Sequence, residues 1–179
     1  MTIVRFFCFS ALCALAVSCS TSGESGGLYR EDASGERQLA DSKIQLDTIA
    51  SFKRGTKPAV RTMLARNGVV KATVDTGRRR GEGEIPPDVY ARLWKSLMAD
   101  KAMELEVDPP DTGGGLYHVV RLTLGNRTGE FSGQHKTNFL GLQSESIKSR
   151  LDVVNQISRV FNKYVKTVPV ITEEATPTP

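Results

Sequence analysis

Two Asp-Thr-Gly triplets, Asp75-Thr76-Gly77 and Asp111-Thr112-Gly113, are the residues in this chain best suited by type to chemistry. Two aspartates brought close in tight turns can share one proton, so that one acts as base on a water while the other donates to a carbonyl. The neighbours oppose that use. Gly77 is followed by Arg78-Arg79-Arg80, whose charge stabilises carboxylates in their ionised form, and the triplets lie too near each other in sequence to be the hearts of two lobes. Asp and Gly are turn-formers in their own right, and a turn is the expected role of both triplets.

The only histidines are His118 and His135, and neither stands at a metal-site spacing from another His, a Cys or a carboxylate. His118 alternates in phase with Leu116, Val120 and Leu122, which predicts a buried or edge histidine with a local partner; His135 lies in a polar stretch beside Lys136. Asp75 after Thr73-Val74, with Phe139-Leu140-Gly141 further on, superficially resembles the elements of aspartic proteases, which would imply an aspartate-dependent hydrolase using Asp75 and Asp111. No Gly-x-Ser-x-Gly, Walker-type loop or dinucleotide fingerprint occurs. Nucleophilic catalysis has no candidate, and the chain reads as a non-enzyme without metal or cofactor.

Binding chemistry has better candidates. Arg78, Arg79 and Arg80 form the densest charge, in a predicted loop between Gly77 and Gly81, and suit an anionic surface, although Glu82 and Glu84 follow closely. Asn67-Gly68 between two apolar runs is the strongest short-range hairpin signal and would present an exposed tip.

The amino terminus sets the address. Met1 to Arg5 carries one basic side chain, Phe6 to Val17 is an apolar run too short to span a bilayer, and Ser18-Cys19-Ser20 ends it. Leu15-Ala16-Val17-Ser18-Cys19 resembles the lipobox of bacterial lipoproteins, although Ala16 stands where Leu is preferred. The resemblance implies removal of residues 1–18 and a diacylglycerol on Cys19. Cys8 and Cys13 would leave with the signal, so Cys19 would have no disulfide partner in the chain. Ser20, in place of the Asp that marks inner-membrane retention, points to the outer membrane, facing the periplasm. Nucleic acid is the wrong partner there; the membrane, through the lipid, and another envelope protein are the expected ones.

Behind that anchor, residues 19–41 are rich in Ser, Gly and charge, which predicts a flexible tether of up to about 75 Å. Glu173 to Pro179 belongs to a tail, 167–179, expected to be disordered. Between them, 42–166 is one domain. Ile44, Leu46, Thr48, Ala50 and Phe52 alternate as a strand closed by Lys53-Arg54-Gly55; Val60 to Ala65 and Val69 to Thr76 form the Asn67-Gly68 hairpin. Pro86-Pro87-Asp88 opens a helix with Tyr90, Leu93, Trp94, Leu97 and Met98 on one face, and Met103, Leu105 and Val107 suggest a short strand. Leu116 to Leu124 turns through Gly125 to Gly129 into a strand at Glu130 to Gly133, and Ser144 caps a helix reaching Val165. The class is α+β, an antiparallel sheet of about five to six strands with two helices packed on one face.

This order looks like the small emfourin-type domains, some of which inhibit thermolysin-like metalloproteases. The likeness is one of pattern over Ile44 to Val165. The glycine-rich, phenylalanine-bearing opening hairpin of those domains is missing, and no functional residue is carried over. The expectation is a lipid-anchored envelope protein with a non-catalytic binding or adaptor domain, protease inhibition being one version. The alternatives are the hydrolase and a passive envelope component, the latter favoured by an exposed sheet face that is wholly polar and without a concavity.

Overall fold

The computed structural model describes residues 27–31, 35, 37–50, 57–110, 115–135 and 145–170. Cys19, the apolar run 6–17, Phe52 with its closing turn, the Asp111 triplet, the 139–141 element, Ser144 and the tail beyond 170 lie outside them.

The Asn67-Gly68 hairpin is the seed of the architecture. Strands β3 (Ser42–Ile49), β4 (Ala59–Arg66) and β5 (Val69–Asp75) follow in sequence, and Arg66 pairs Val69 around a two-residue loop. Asn67 and Gly68 have φ of 51° and 76°, the two positive values of a type I′ turn, whose twist matches that of the strands. A second tight turn at Gly77-Arg78 leads into β6 (Arg79–Glu84), antiparallel to β5.

From β6 the chain enters helix α1 (Pro87–Ala99), with Pro87 in its first turn, where the missing N–H costs nothing, and Asp88 near the positive end of the helix dipole. Its Tyr90, Leu93, Trp94 and Leu97 are buried, and the Tyr90 hydroxyl hydrogen-bonds the Ser42 hydroxyl of β3 at 3.2 Å. The helix ends at Lys101 in the left-handed conformation (φ 51°) and passes into a 3-10 turn, Ala102–Glu104. Strands β7 (Tyr117–Leu124) and β8 (Arg127–Gln134) then join the sheet on the other side of β3. Helix α2 (Glu145–Tyr164) returns across the same face, from Arg150 and Leu151 beside Gly133 to Tyr164 above Gly83, and delivers β9 (Lys166–Pro169) to the free edge of β6.

The sheet is therefore seven-stranded and antiparallel throughout, in the order β8-β7-β3-β4-β5-β6-β9, with both helices on one face. The expectation of five to six strands is corrected at two places. β6 carries no apolar side chain: its inward positions are Gly81 and Gly83, and a Cβ on either would run into the carbonyl oxygens of Lys166 and Tyr164. Bare backbone is what lets the end of α2 and the start of β9 lie directly over it. β9 occupies the beginning of the predicted disordered tail and is only four residues long.

Three further corrections concern shorter segments. Residues assigned to the tether form a second, two-stranded sheet, β1 (Tyr29–Glu31) with β2 (Arg37–Leu39), because Leu28, Leu39 and Ala40 are apolar anchors that reach the core; Leu28 is 3% exposed. Met103 to Val107 is not a strand. Glu104 closes the 3-10 turn and 105–110 passes the outer edge of β8, where Asp108 N–H donates to the Ser132 hydroxyl at 2.7 Å and Arg150 pairs with the Asp108 carboxylate. The second hairpin turns tightly on Gly125-Asn126 rather than through Gly129, so β8 starts at Arg127; Gly129 sits in the strand because the Met103 backbone crosses it.

Candidate functional site

The register separates the two faces cleanly. Ile44, Leu46, Met63, Ala65, Val70, Ala72, Val120, Leu122 and Phe131 share the helix-covered face and are buried. The opposite face, open towards β9 but buried at Asp47, Val119 and Ser132 towards β8, carries cross-strand rows. One row runs Val168, Arg80, Asp75, Val60, Asp47, Val119, Ser132; the next runs Lys166, Glu82, Thr73, Thr62, Gln45, Arg121, Glu130. Opposite charges meet within and between the rows: Arg80 with Asp75 at 3.0 Å, Arg121 with Glu130 at 3.1 Å and with Asp47, whose carboxylate also accepts from Gln45 at 3.0 Å. At the β9 end, Val60, Thr73, Val74, Asp75, Arg80, Gly81, Glu82 and Val168 line a groove of about 440 Å³. Val168 is 64% exposed beside it.

The three arginines do not form one patch. Arg78 occupies the turn, while Arg79 and Arg80 lie in β6 rather than in a loop, and successive strand residues point to opposite faces. Only Arg80 joins the open-face row. The first Asp-Thr-Gly triplet is a turn. Gly77 N–H donates to Asp75 Oδ1 at 2.7 Å, Gly77 takes φ 75°, and Arg79 N–H donates to the Thr76 hydroxyl at 3.0 Å. The Gly77 amide, and after it the Arg80 charge, hold the Asp75 carboxyl below its usual pKa, which keeps it an ionised acceptor rather than a proton-sharing partner. Asn67 and Gly68 lie at the hairpin tip, where Asn67 accepts from Arg30 of β1 at 3.4 Å and its N–H donates to Asp41 at 3.4 Å. That tip is tied to the N-terminal hairpin.

A different cluster sits at one end of the helix-covered face. Arg61, half-buried, shares a row with Val74, Leu46, Val120 and Phe131, so its side chain lies on the helix-covered face. It donates to the Thr48 hydroxyl at 3.2 Å, and that hydroxyl lies 3.1 Å from His118 Nδ1 on the neighbouring strand. The β7–β8 hairpin brings the His135 ring against His118, centroids 5.7 Å apart and nearly perpendicular. Burial first, then the His135 and Arg61 charges, push His118 down to about 4, so it is neutral at pH 7. The Thr48 hydroxyl, which accepts from Arg61, is also placed to donate to Nδ1 or to accept from it. Burial also lowers the Arg61 pKa.

The chain matches no family model and no curated protein. What it can do chemically rests on these residues. Among those described, no three His, Cys, Asp or Glu side chains are grouped to hold a metal ion, and no helix is long and apolar enough to cross a membrane. The histidine pair was not visible as a pair in sequence, since the two rings meet only through strand register. The signal that could have found the cluster is Arg61 itself, a charge in phase with Met63 and Ala65.

Proposed function

We propose that this chain is a lipid-anchored protein of the bacterial envelope, exported by residues 1–18, acylated on Cys19, and carrying a non-catalytic domain that binds another envelope protein through the open face of its sheet. The observation that carries the binding reading is the groove beside β9, where exposed Val168 and half-buried Val60 adjoin Arg80, Asp75 and Glu82. A passive component would be expected to show a wholly polar face without a concavity. Apolar contact flanked by both signs of charge is instead the make-up of a protein-binding patch with a polar rim. Engagement of Asp75 by Gly77 and Arg80 weighs against its use in hydrolysis.

The test is in-situ photocrosslinking from a probe placed at Val168 in the native envelope. A specific, stoichiometric partner that disappears with Val168→Asp combined with Arg80→Glu supports the reading. Capture of nothing above background, with the protein folded and at normal level, overturns it. The anchor is tested separately: Cys19→Ala accumulates as an unprocessed precursor, whereas normal processing to a soluble product removes the lipid from the account.

A further inference from the structure

We propose that Arg61, Thr48, His118 and His135 form a binding site for a small oxyanion, a phosphate or carboxylate group, at the end of the helix-covered face. The case begins with where Arg61 stands. Its cross-strand neighbours Leu46 and Val74 are 0% and 7% exposed, and the row continues to fully buried Val120 and Phe131. A guanidinium among such neighbours loses hydration that a methionine would not need.

Nothing acidic compensates it among the described residues. Arg30, Arg80, Arg92, Arg121 and Arg150 each have a carboxylate partner, whereas the bond of Arg61 goes to a neutral hydroxyl and uses one of its five N–H donors. The acids nearest in register, Asp47 and Asp75, point to the other face and are engaged there by Arg121 and Arg80. Arg61 and the His118 and His135 rings thus gather N–H donors and positive charge with no anion among the described residues. A planar fork beside directional N–H groups is the donor set that oxyanions select, and metal cations are repelled by the guanidinium. The Thr48 bridge, bonded to both Arg61 and His118, holds the two in fixed relation.

The site is independent of the open-face groove, so the two stand or fall separately. The experiment is a titration of the full chain with inorganic phosphate, and in parallel with acetate, following the imidazole signals of His118 and His135 by NMR. Expected is a saturable shift of both rings, its affinity reduced at least about tenfold in Arg61→Met, as loss of one charge-assisted hydrogen bond requires. Arg61→Met is expected to melt no lower than the parent chain. The tighter of the two anions names the class of ligand. Rings that do not respond saturably to either anion, or that respond equally in Arg61→Met, overturn the proposal. Should Arg61→Met not fold, His118→Gln replaces it, read through the His135 signals against the same two outcomes.

Discussion

The two faces of the sheet are built from the same strands, residue by residue in alternation, yet they obey different rules. On the covered face, position decides: Phe131, Leu46 and Trp94 are 0% exposed, and even glycines are placed by what passes over them. On the open face, pairing decides where Arg80 meets Asp75 and Arg121 meets Asp47 and Glu130. The contrast breaks at one end. Arg61, Thr48 and His118 carry polar chemistry into the covered face, and Val60 and Val168 carry apolar surface onto the open one.

If the covered face is the cooperative core, Phe131→Ala should show the largest loss, about 3–5 kcal/mol by chemical denaturation, from the lost burial and the cavity left behind. Gly83→Ala comes next, at about 3 kcal/mol. The methyl group is small but meets the Tyr164 carbonyl, so β6 and β9 must part; a variant as stable as the parent would show that this approach is looser than described. The breach is tested by acid. Because the folded His118 pKa lies near 4, below the unfolded value of 6.5, the unfolded chain binds the extra proton between those limits. Stability is then full above pH 6.5 and falls as pH drops towards 4, by on the order of 2 kcal/mol, and His118→Gln should flatten that slope. On the open face, Arg121→Gln should cost about 1 kcal/mol, since Asp47 is mostly buried and keeps Gln45, with the loss shrinking in high salt. Val168→Thr should change stability by less than about 0.5 kcal/mol while weakening partner capture, which would divide the open face into a structural part and a binding part.

Much of this division was readable in the chain. The alternation of Ile44 with Gln45 and Leu46 with Asp47, the Asn67-Gly68 turn, the proline-led helix and the apolar stripe of α2 each follow from local rules, and each is present. What escaped was structure whose reason lies elsewhere in the chain. Arg79 to Glu84 has no hydrophobic period because its partner is backbone, not side chain; Lys166 to Pro169 is a strand only because β6 offers an edge; and three-residue β1 and β2 persist through Leu28 and Leu39. The Arg61 cluster spans three strands and the residue following a fourth, so no window of sequence contains it. Arg78, Arg79 and Arg80 erred in the opposite sense, since adjacency in sequence became divergence in space once β6 alternated them.

The N-terminal hairpin has a consequence for reach. With Leu28 already packed in the core, a lipid on Cys19 would be joined to it through only the eight residues 20–27, a leash of at most about 30 Å against the roughly 75 Å of a tether running to residue 41. The domain would then search a thin layer against the bilayer rather than the depth of the compartment. A partner held in the same membrane would meet it at a high effective concentration, so that even a weak contact through the groove beside β9 could be well occupied in place and yet dissolve on extraction.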